Sequence, residues 1–134
     1  MGLYKAGGGG KMTETTLWTN SSPSSSFAAQ TVTLSDGISN YDYLKFTYKP
    51  STTSSLSNST IISTQDFISN CVDGAKHFFA TMGGYSSTGA SNAHARNAFY
   101  VSNTSLRMGT CLMLNSSSSN NAYMIPLTIK GLKL

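Results

Sequence analysis

Charge is scarce in this 134-residue chain: Asp, Glu, Lys and Arg together make up 10%, and only Glu14, Asp36, Asp42, Asp66 and Asp73 are acidic. No two of these acids stand as a pair placed for glycoside hydrolysis. The two histidines, His77 and His94, carry no nucleophile-and-base signature around them, so the chain reads as a non-enzyme that uses no cofactor. Cys71 and Cys111 are too few for a disulfide scaffold, and with the histidines they lack the paired short spacings of a structural zinc site. Two buried free thiols and no metal are the expectation. No apolar run approaches the roughly 20 residues of a membrane span. A signal peptide needs an apolar segment after its first basic residue, and here Lys5 is followed by AGGGGK. Neither membrane insertion nor conventional export is therefore expected. The net charge of +4 comes from nine Lys and Arg spread along the whole chain, with no basic block, which argues against nucleic acid as a partner.

Small polar residues are abundant instead: 23 serines, 16 threonines and 10 asparagines. Together with seven Tyr, six Phe and one Trp they suit β-strands and turns, whereas the helix formers Glu, Gln and Leu are few. Four Asn-x-Ser/Thr sequons, at Asn20, Asn58, Asn103 and Asn115, are expected by chance in such a composition.

Periodicity gives the fold class. In YLKFTYK, residues 43–49, Leu44, Phe46 and Tyr48 share one face, and Tyr43, Lys45, Thr47 and Lys49 share the other. In SLRMGTCLML, residues 105–114, one face carries Leu106, Met108, Thr110, Leu112 and Leu114 and the other Arg107, Gly109, Cys111 and Met113, which reads as a central strand. The tail AYMIPLTIKGLKL puts Tyr123, Ile125, Leu127 and Ile129 on one face, then slips by one at Gly131 as a β-bulge would. Pro126 lacks an amide proton and so predicts a sheet edge. Shorter strands are expected at 15–19, 31–35, 59–64, 75–82 and 96–102, and one helical turn at QDFISN, residues 65–70. Eight strands in about 120 residues point to one antiparallel β-sandwich or jelly roll over residues 13–134, with a core including Leu44, Phe46, Leu106, Met108, Leu112, Ile125, Leu127 and Ile129. Trp18 and Phe27, on either side of the turn TNSSPSSS, read as core.

Two segments stand out as candidate binding elements. MGGYSSTGASNAHAR, residues 82–96, has the composition of a recognition loop: Tyr85 offers a flat amphipathic face, and Asn92, His94 and Arg96 offer hydrogen bonds to a ligand. MGLYKAGGGGKM, residues 1–12, reads as a glycine-rich strap or tether. Four consecutive glycines lose much backbone freedom on ordering, so a docked strap would use Gly7, Gly8, Gly9 and Gly10 where no Cβ fits, with Leu3 and Tyr4 seated in a neighbour.

The phrases LWTNSSPSSSFAAQTVTLS, YDYLKF, GTC and IPLTIKGLKL, in that order, resemble small structural proteins encoded among the tail and fibre genes of tailed bacteriophages and prophages. The resemblance spans residues 13–134. It implies a virion component, assembled in the host bacterial cytoplasm and exposed on the extracellular particle. Such modules commonly form homotrimers and bind other virion proteins, here through the N-terminal segment, and a host-surface receptor or glycan. A head-decoration or fibre-connecting subunit with no host ligand is the alternative. A non-viral carbohydrate-binding module would explain the loops but not the strap.

Overall fold

Strand β3 (Tyr43–Ser51) turns the alternation of YLKFTYK into structure: Leu44, Phe46 and Tyr48 are buried, and Tyr43, Lys45 and Thr47 lie half-exposed opposite them. The computed structural model describes residues 11–72, 80–85, 93–113 and 118–134, and places nine strands among them in two antiparallel sheets. One sheet is ordered β1 (Thr13–Thr19), β9 (Tyr123–Lys133), β3 and β4 (Asn58–Ser63). The other is ordered β2 (Gln30–Thr33), β7 (Ser105–Met108), β6 (Ala93–Ser102) and β5 (Ala80–Tyr85), with a two-residue β8 (Leu112–Met113) pairing β6 beyond the end of β7. Their inner faces share one apolar cluster, in which Leu44, Phe46 and Ile129 of the first sheet join Val32, Ala98 and Leu106 of the second. The chain is the all-β sandwich that its alternation predicts.

The helical turn expected at 65–70 is a seven-residue helix, α1 (Thr64–Asn70), started by Ser63, whose Oγ accepts a 3.1 Å bond from the Asp66 amide. It delivers Phe67 into the core, with its ring 5.8 Å from that of Phe46 and edge-on to Tyr100 at 6.3 Å. Cys71 caps it and, like Cys111, is buried and forms no disulfide.

Four expectations are corrected. The strand read at 105–114 divides into β7 and β8: the pairing with β6 keeps one register as far as the Gly109 amide on Asn97 O and resumes one residue out of step with Leu112 opposite Ala95, the Cys111 amide between them turning to Asn121 Oδ1. The phase changes across this break, so Cys111 is buried and Leu112, expected in the core, is 46% exposed. Gly131 pairs in regular register with both neighbours, and the β9 irregularity lies instead at Leu127, which is skipped between the pairs Thr47–Thr128 and Tyr48–Pro126 and is only half-buried. Gly131 is needed for a different reason: a Cβ there would clash with the Tyr41 ring. Pro126 sits on an interior strand, yet β1 ends at Thr19 opposite Thr128, and the Pro126 carbonyl faces the open side, where Asn20 Nδ2 donates to it at 2.8 Å. A strand residue points its N and C=O to the same side, so the missing amide proton is not demanded by β3.

The sandwich has two unlike ends. At one, Thr13 is opposite Lys133 and Leu134 N bonds to Asp42 Oδ2, so the described chain enters and leaves the domain side by side. At the other, residues 20–29, 52–57, 109–113 and 118–122 meet: Phe27 N bonds to Asn121 O and Thr52 N to Ala122 O. We call these the base and the tip.

Candidate functional site

Arg96 organises the tip from inside. The two-residue period of β6 places His94 and Arg96 on one face, and both are buried, at 1% and 0% exposure. A guanidinium can be buried only if its N–H groups find acceptors. Here Nε donates to Met124 O at 2.8 Å, Nη1 to Gly109 O at 2.7 Å and Nη2 to Tyr123 O at 3.1 Å. The Gly109 carbonyl comes from the β7/β8 break, and the other two from the start of β9, where Met124 takes a left-handed φ of 46°. An unbranched side chain in that region carries strain, which these bonds help to hold in place. Burial lowers the Arg96 pKa to about 10, leaving it charged at neutral pH, and the same burial pushes the Cys111 thiol up to about 11 against the pull of that cation.

The charge is also covered from above. Its guanidinium carbon lies 5.3 Å from the centroid of the Phe27 ring, and Phe27 in turn meets Trp18 edge-on at 5.9 Å and 77°. His94 stacks on Tyr123 at 4.3 Å. One connected unit therefore runs from β6 through Phe27 to the surface, and ties the loop before β2 to both sheets.

Above it opens a cleft of about 270 Å3, lined by Trp18, residues 19–22, Ser26, Phe27 and Gln30. Its turn is self-braced: Asn20 Oδ1 accepts from Ser22 N at 2.9 Å while Asn20 Nδ2 holds Pro126 O, and Gln30 Nε2 bonds to Ala28 O at 3.0 Å. Among the described residues no charged side chain lines the cleft.

The residues singled out from sequence fare differently. His94 and Arg96 are interior side chains, not ligand donors on an exposed loop, because β6 begins at Ala93, three residues before the strand start expected there. Tyr85 ends β5 opposite Ala93. Asn92 lies outside the described residues, as do Leu3, Tyr4, Gly7, Gly8, Gly9 and Gly10 of the strap and His77. Trp18, expected in the core, is half-buried and lines the cleft, while Phe27 is core as expected. The signal that could have found this site was the turn TNSSPSSS held between two aromatics. Comparison of the chain with protein-family models and with curated proteins finds no match.

Proposed function

We propose that the chain is a non-enzymatic structural module of a tailed-phage virion, attached through residues 1–12 and presenting its tip to the host surface. The observation that carries this reading is polarity along the sandwich. Residues 1–12 lead directly into β1 at the base, whereas the Ser- and Asn-rich loops gather at the tip, away from the point of attachment. Among the described residues β1 is an edge strand with one side unpaired, an edge that a strand of a neighbouring virion protein can extend. A homotrimer is the expected assembly, with contacts through the polar outer face that carries Tyr43, Lys45 and Thr47.

The test is incorporation. Deleting residues 1–12 should leave the sandwich folded and remove the protein from purified particles, and Gly8→Val with Gly9→Val should do nearly the same. Truncated protein at normal occupancy on particles overturns the attachment role. Particles that carry the protein at stoichiometric sites on the head, with no binding to host cells, favour a decoration subunit. Sedimentation at micromolar concentration reads the oligomer directly, and a clean monomer removes the solution trimer.

A further inference from the structure

We infer that the tip cleft between Trp18 and Gln30 is a binding site for a neutral saccharide, taking one or two sugar rings. This deepens the proposed function and rests on reading the tip as the presenting end.

Four observations converge on that ligand class. Among the described residues the lining contains no charged side chain, and the Arg96 guanidinium behind Phe27 is spent on three carbonyls, so an ionic ligand would find no counter-charge among them. The hydroxyls of Thr19, Ser21, Ser22 and Ser26 make no hydrogen bond among the described residues. Each can donate and accept, which suits the neighbouring hydroxyls of a sugar. The amides of Asn20 and Gln30 are oriented by bonds to the backbone, which leaves Gln30 Oε1 aligned without further ordering.

Trp18 contributes a minor apolar part of a mostly polar lining, and its edge contact with Phe27 fixes it, so a sugar C–H group can rest there at little cost in ordering. The volume, about 270 Å3, falls just below the roughly 300–1,000 Å3 of drug-sized ligand sites, which sets the ligand at the scale of a mono- or disaccharide. A protein partner would need a central pocket for an apolar anchor, and this polar lining does not provide one.

Trp18 is the only tryptophan of the chain, so its fluorescence reports on this cleft alone. The probes are the methyl α-glycosides of glucose, galactose and mannose together with N-acetylglucosamine, with glucuronate and N-acetylneuraminate as charged comparators. At least one neutral probe should change the emission saturably, with an apparent Kd on the order of 1 mM, and the charged pair should not. Gln30→Leu, at an exposed position, should leave the melting curve unchanged and weaken that binding about fivefold, the effect of one lost hydrogen bond. No response to any neutral probe, an equal response to the charged pair, or an unchanged Kd in Gln30→Leu each overturns the assignment. Protein found on particles that binds no sugar overturns the cleft and leaves the display reading standing. Sugar binding by a protein absent from particles does the reverse.

Discussion

Phe46 on β3 and Arg96 on β6 are withdrawn from water equally, at 1% and 0% exposure, and they get there by opposite means. Phe46 lies mid-strand where both sheets supply apolar neighbours, and its burial is favoured by area, without regard to direction. Arg96 lies where strands end, and its burial depends on three carbonyls aimed at one planar group. The middle of this sandwich is held by packing that tolerates small shifts. Its tip is held by directional bonds that tolerate few, and the candidate cleft sits on the directional part.

The sharpest way to break the comparison is to remove each anchor. Phe46→Ala should cost about 3 to 5 kcal/mol in chemical denaturation, the usual range for truncating a buried phenylalanine. A neutral result would mean that the face is not the core. Arg96→Met should cost about 2 kcal/mol: three carbonyls lose their donor at roughly 1–3 kcal/mol each, offset by no longer burying a charge. The loss should be local, with faster amide exchange around Gly109 and Met124 while β3 stays protected. Arg96→Lys should not rescue it, because an ammonium lacks the planar fork that reaches three separated acceptors. Wild-type stability in Arg96→Met would mean that the carbonyls find other partners and the tip has no such brace.

The smallest effect sharpens the comparison at the surface. Lys45 and Lys130 are direct partners across β3 and β9, and Glu14 lies between them, with Oε1 3.3 Å from one ammonium and Oε2 3.7 Å from the other. The hydrogen bond from Lys45 leads in holding the Glu14 carboxyl below its ordinary pKa of 4.5. A depressed carboxylate stabilises the fold above its unfolded pKa, and that contribution is lost as pH falls through the lower folded value. Glu14 is 43% exposed, so solvent screening keeps the effect small. Glu14→Gln should cost less than about 1 kcal/mol at neutral pH and flatten the acid limb of the stability curve below pH 4.5. An unchanged acid limb would show that the three charges act independently.

Legibility followed the same division. Leu44, Phe46 and Tyr48 were readable because alternation is a local property and β3 is flanked by strands along its length. Leu112 was misplaced because the phase of its strand is reset by Asn121 Oδ1 taking the Cys111 amide, a partner ten residues away. His94 and Arg96 looked like loop donors because composition reports polarity and says nothing of where acceptors will stand. Pro126 was read correctly as facing no partner and wrongly as lying on a sheet edge, since the open side arises from β1 ending early.

The sequence by itself determined the all-β class, the strand faces in the middle of the sandwich and the polar character of the loops, because these follow from a two-residue backbone period and from side-chain chemistry. Only the tertiary structure decided that Arg96 is an internal brace, that Trp18 borders a cleft and that the loops gather opposite the base. Each of these depends on which strand ends meet, and hence on which carbonyls are left without a ladder partner.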